Sequence, residues 1–139
     1  MSDRKAGSPS ERFGIGSSIP VLRMLDESAA RAFYLDFLGF AIDWEHRFTP
    51  SRAESPLYLQ LHLGDAVVHL DGHADQNTPV AEIRIPVRDL QGYAEHLRSK
   101  RPDGHEITPV DPRYEGKPTD LNLVDPAGNM ITFWLQEDA

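Results

Sequence analysis

The chain has 139 residues, a net charge of -8 at neutral pH and no cysteine, with 40% hydrophobic and 26% charged residues. This size suits one globular domain or two very small units sharing a core. Disulfides, thiol nucleophiles and thiolate metal sites are excluded. The acidic balance argues against nucleic acid, which needs a basic patch to displace counterions from phosphates.

The chain opens on Met1-Ser2-Asp3-Arg4-Lys5, without the apolar stretch of a secretory signal. No apolar run approaches the roughly 20 residues that span a bilayer. A cytoplasmic protein with no membrane partner is the expectation. Residues 1–17 are rich in Ser, Gly and charge, with Phe13 and Ile15 as their apolar anchors, and read as a flexible arm. Gly14-Ile15-Gly16 lacks the third glycine and following helix of a nucleotide-binding turn. The serines show no strand-turn-helix elbow around a nucleophile.

Ile19 to Leu25 reads as a strand, with Leu22 and Met24 on one face. Asp26 then caps a helix over Glu27 to Leu38, whose stripe of Ala29, Ala30, Phe33, Phe37 and Leu38 recurs at helical spacing. Gly39 terminates it. Phe40 to Phe48 predicts a second strand. Leu57 to Leu63 and Ala66 to Asp71 predict a hairpin about Gly64-Asp65, and the strict alternation Leu57, Leu59, Leu61, Leu63 marks one dry face.

The order then starts again. Glu82 to Val87 reads as a strand, Asp89 as a cap, and Leu90 to Lys100 as a helix. Glu106 to Val110 predicts a short strand. Thr119 to Val124 and Met130 to Gln136 predict a closing hairpin around Asp125-Pro126-Ala127-Gly128-Asn129. The two aspartate caps stand 63 residues apart (89 less 26), and so do His69 and Thr132 (132 less 69). The fold expected is therefore α+β: two tandem βαβββ modules, residues 18–73 and 80–137 joined by a linker at 74–79, forming one curved eight-stranded mixed sheet around a cleft.

Asp26 with Phe33-Tyr34, Leu38-Gly39-Phe40, Gly64-Asp65 and above all Asp125-Pro126-Ala127-Gly128-Asn129 resemble the vicinal oxygen chelate superfamily. That superfamily includes glyoxalase I, extradiol dioxygenases, fosfomycin-resistance enzymes and bleomycin resistance proteins. The resemblance implies four inward strand positions for a divalent metal, which here fall on Ile19, His69, Glu82 and Thr132. Of these, only His69 and Glu82 are good ligands, and an open catalytic site typically takes three. His62 and His73 lie nearby, but a spacing of four between His69 and His73 is a helix geometry on what reads as a strand.

Metal ligands are missing in the same way from the bleomycin resistance proteins, non-catalytic dimers that sequester a cationic glycopeptide. Ile19-Pro20-Val21-Leu22, Gly39-Phe40 followed by Asp43-Trp44, and the terminal Glu137-Asp138 resemble them further. The resemblance implies capture of a small molecule without catalytic residues, cofactor or metal, by a homodimer. The alternative is a divalent-metal enzyme of the glyoxalase, lyase or dioxygenase type, using His69 and Glu82.

A capturing cleft needs flat aromatic surface and matching charge. Trp134, Trp44, Phe48, Tyr58 and Tyr114 are the aromatic candidates, and Thr132 lies on the same face as Trp134. Trp44 shares strand parity with Phe40 and Ile42, so it can equally lie under the helix. Asp43, Glu45, Glu82 and Asp120 are the carboxylate candidates. Arg23 and Arg84 share the parity of the cleft positions and suit a ligand carboxylate, or else a neighbouring Asp or Glu.

Overall fold

Leu57, Leu59 and Leu61 are buried while Tyr58, Gln60 and His62 between them are only partly so, which makes the Leu57–Leu63 strand the organising element of the first half. The computed structural model describes residues 7–101 and 107–137. Their elements are α1 (Pro9–Phe13), β1 (Val21–Arg23), α2 (Glu27–Arg31), β2 (Ala41–Arg47), β3 (Leu57–Leu63), β4 (Ala66–Asp71), β5 (Glu82–Val87), α3 (Leu90–Lys100), β6 (Asp120–Val124) and β7 (Met130–Leu135). The seven strands found among the described residues form two sheets, ordered β1-β4-β3-β2 and β5-β7-β6.

In each sheet the first strand runs parallel to the last strand of its module, and the last two strands form an antiparallel hairpin. Register preserves the duplication. Val21 lies opposite His69 and Arg84 opposite Thr132, the same pair displaced by 63 positions (84 less 21, 132 less 69). The capping aspartates repeat as well: Asp26 accepts from the Ala29 N–H and Asp89 from the Gly92 N–H.

The α+β fold of two modules is as expected, and among the described residues its strands fall into sheets of four and three. In the second half, Val110 alone bridges Asp120, with its N–H donating to the Asp120 carbonyl at 2.7 Å. The expected start of that strand, Glu106, lies outside the described residues, as do residues 1–6 and Asp138. The first helix also departs from expectation. After Arg31 it widens into a π-helical stretch, Ala32–Leu38, and the Gly39 N–H reaches back five residues to the Tyr34 carbonyl. The stretch buries Phe33, Tyr34, Phe37 and Leu38 together. Ala29, expected in the stripe, is half-buried, and Ala30 is buried.

The core gathers Leu22, the Phe33–Leu38 aromatics, the β3 and β4 leucines, Leu97, Ile131 and Phe133 into one cluster spanning both halves. Tyr93 of α3 packs its ring on Phe133 and donates its hydroxyl to the Leu38 carbonyl at 2.7 Å. Arg101 sits 3.9 Å from the centre of the Phe37 ring. By contrast, α1 buries nothing, and Phe13 and Ile15 stay exposed. Among the described residues no helix is long and apolar enough to cross a membrane.

Candidate functional site

Each sheet keeps one face against helices and core and leaves the other open. On the first sheet that open face carries a continuous run of polar and aromatic side chains, and a β-bulge accounts for it. Ile42 pairs with Leu61 but Trp44 pairs with Gln60, leaving Asp43 as the extra residue. A bulge of this kind lets two consecutive side chains share a face. Asp43 reaches Gln60 and His62, and Trp44 stacks on Tyr58 with ring centres 6.0 Å apart. Strand parity left Trp44 equally able to lie under the helix; the bulge turns it to the open face, where it is 43% exposed. Beyond the bulge Glu45 turns to the opposite face, pairing with Arg31 at 2.9 Å, and is no cleft carboxylate.

Five side chains then connect across three strands. Tyr58 Oη and His69 Nδ1 are 2.9 Å apart, and His69 Nε2 lies 2.9 Å from Gln60 Oε1. Gln60 Nε2 donates to Asp43 Oδ2 at 2.9 Å, and His62 Nδ1 lies 2.5 Å from Asp43 Oδ1. The Gln60 amide, opposed by desolvation and helped by His62, holds the Asp43 carboxyl below its usual range. Partial desolvation and the nearby Asp71 charge push the Tyr58 phenol up. Phe48, 61% exposed, extends the aromatic strip by packing edge-on to His73, which is itself bonded to Asp71.

The second sheet repeats the theme on a smaller scale. Thr132, at the position equivalent to His69, is buried and donates to Asn122 Oδ1 at 2.7 Å, as His69 bonds to Gln60. Arg84 pairs with Asp120 at 3.2 Å, and both line a cleft of about 630 Å³ with Trp134, Arg113, Lys117 and Glu137. Tyr114 stands on the neighbouring loop with a positive φ of 56° and 93% exposure, outside that lining.

Arg23 serves the fold. Its Nε donates to the Ala127 carbonyl at 2.8 Å and its Nη1 to the Gln76 and Thr78 carbonyls at 3.0 Å each, clamping the linker and closing loop onto β1. The Asp125–Asn129 loop completes the clamp. Asp125 Oδ1 accepts from the Ala127 and Asn129 N–H groups, while Oδ2 accepts from the Tyr34 hydroxyl at 2.6 Å. Burial first, then the Asp125 charge, push the Tyr34 phenol far up, so it stays a donor.

As for a metal, both His69 ring nitrogens are engaged by Tyr58 and Gln60, Thr132 is tied to Asn122, and Ile19 has no donor. Among the described residues no group of three or more His, Cys, Asp or Glu could hold an ion. Of the four positions only His69 and Glu82 carry good donors, short of the three that an open catalytic site typically takes. Sequence reasoning pointed to Asp43 but not to its links with Gln60 and His62, because the bulge that joins them leaves no mark on residue alternation.

Two modules in tandem, each a strand, a helix and a sheet with one polar open face, define the vicinal oxygen chelate class of fold. The chain belongs to the glyoxalase superfamily: the family model described as "Glyoxalase superfamily protein" matches residues 7–139. A bleomycin-binding protein complexed with bleomycin is similar in structure, with a TM-score of 0.60 and 20% identity over 88% of this chain and 100% of that one. The bleomycin-binding protein of bleomycin-producing Streptomyces verticillus, complexed with copper(II)-bleomycin, has a TM-score of 0.61 and 24% identity, over 88% and 98%. The trypanothione-dependent glyoxalase I of Leishmania major has a TM-score of 0.58 and 18% identity, over 87% of each chain. At these identities the likeness concerns the fold. No curated protein matches the sequence.

Proposed function

We propose that this protein binds and sequesters a small molecule of the glycopeptide-antibiotic kind, as a bleomycin-resistance-like protein, without metal or catalysis. The observation that carries this reading is the open face of the first sheet. There Trp44, Tyr58 and Phe48 offer flat aromatic surface beside the Asp43 carboxylate, while the histidine at the family's metal position is bonded on both nitrogens. Such a surface gains by stacking and by matching charge, and it asks for no bond to be broken. The clefts lined by Arg84 and Trp134 give the second sheet a complementary part in holding the same ligand. The bleomycin-binding proteins of like fold support the reading from outside the chain.

Calorimetry with bleomycin-type glycopeptides is the test. Trp44→Ala and Trp134→Ala should each weaken binding about tenfold or more, as removal of a stacking anchor does. Phe13→Ala, on the arm, should leave affinity within about twofold. Absence of heat with every such compound would remove drug capture.

The working unit in this reading is a homodimer, in which the open faces of two copies enclose the ligand. Sedimentation should then return twice the chain mass of 15.6 kDa. A monomer with full ligand affinity would remove the dimer from the account.

A further inference from the structure

The hydrogen-bond chain on the first sheet has a direction that one residue dictates. Ionised Asp43 can only accept, so the Gln60 amide must turn its NH₂ toward Asp43 Oδ2, which leaves Gln60 Oε1 facing His69. A carbonyl oxygen also only accepts, so the proton on neutral His69 sits on Nε2, and Nδ1 must accept from the Tyr58 hydroxyl. On the other side, His62 gives its Nδ1–H to Asp43 Oδ1, which places its lone pair on Nε2. Tyr58 has thus spent its proton inward and shows lone pairs outward. His62, 44% exposed at its side chain, shows a bare ring nitrogen. Both sit on the face that carries Trp44.

We infer that Asp43 is a positioning residue that, acting through Gln60, His69 and His62, makes this face a pair of hydrogen-bond acceptors beside an aromatic plate, and so selects ligands that carry N–H or O–H donors on a flat ring. The inference rests on the capture reading above for its ligand, but the polarity of the chain follows from the side chains alone. His46 on β2 stands opposite Tyr58 in register and packs on Phe48; the ionisable groups on the other flank, Asp71 on β4 and His73 just beyond it, pair with each other at 3.1 Å. Neither can take the place of Asp43, because Gln60 and His62 bond to Asp43.

Two measurements on the full chain test this. Long-range ¹H–¹⁵N correlation spectra at about pH 9, above the ordinary imidazole range, report the tautomers directly. His69 should carry its proton on Nε2 and His62 on Nδ1. In Asp43→Asn the amide oxygen can accept from only one of Gln60 and His62, so either His62 or His69 should change tautomer while the backbone spectrum elsewhere stays unchanged. His62 on Nε2–H, or His69 on Nδ1–H, in the natural protein would overturn the assignment.

The second measurement titrates indole, 1-methylindole and quinoline against the Trp44 indole N–H signal. The three rings stack alike but differ in hydrogen bonding. Indole should bind about threefold to tenfold tighter than the other two, and Asp43→Asn should weaken that preference. If all three bind equally, capture stands and donor selection falls. If the tautomers are as assigned but none of the rings binds, the capture reading falls and donor selection falls with it.

Discussion

Asn129 has no exposed surface and serves three elements at once. Its Nδ2 donates to the Arg23 carbonyl and to Asp125 Oδ2, and its Oδ1 accepts from the Ala81 N–H. Removing the amide leaves the part-buried Ala81 N–H and Arg23 carbonyl without this partner and takes one of four donors from the Asp125 carboxylate, at a cost in desolvation. Asn129→Ala should therefore destabilise the protein by about 2–3 kcal/mol, seen as a melting temperature lower by several degrees. An unchanged melting curve would contradict the clamp. The Asp125-Pro126-Ala127-Gly128-Asn129 motif was visible in the sequence as a signature, whereas its work was not. A string of turn residues announces a loop, and only the fold shows Arg23 and Tyr34 reaching into it from the other module.

The elements that alternate cleanly were the ones that could be read. Leu57–Leu63, Ala66–Asp71, Glu82–Val87 and Leu90–Lys100 form over the expected residues, because a dry face on a strand or helix imposes a period that composition alone displays. The bulge at Asp43 and the widening after Arg31 each interrupt a regular period, and the bulge lies at the site. The side that Trp44 takes was therefore left open by the alternation, whereas the buried leucines were plain.

The bulged strand is also anchored by charge. Past Trp44, Arg47 forks onto both oxygens of Glu27 in the first turn of α2 at 3.0 and 2.9 Å. The Arg47 hydrogen bond, opposed by a little burial, lowers the Glu27 pKa. A lowered carboxyl favours the folded state above the ordinary glutamate value of about 4.3, and that contribution fades as pH falls through the lowered value. Because the pair is still partly open to solvent, Glu27→Gln should cost about 1 kcal/mol or less at neutral pH. Urea midpoints should show natural and variant proteins converging below about pH 4. A gap that persists in acid would assign the loss to something other than the ion pair.

For the molecule as a whole, the duplication controls the architecture and its imperfection controls the chemistry. The same register is used twice, yet the equivalent positions hold His69 with Gln60 in one sheet and Thr132 with Asn122 in the other. Cross-strand polar pairs thus stand where the related enzymes are expected to hold an ion, and both open faces are left with stacking and hydrogen-bonding surface. Passive capture is the central claim. It is tested most directly by incubating excess bleomycin-type glycopeptide with the protein, with and without added nickel, zinc, manganese or iron, and weighing the recovered ligand by mass spectrometry. The account predicts one ligand retained per site and all of it returned with its mass unchanged. Ligand converted in amounts beyond the protein present, with or without added metal, would contradict it.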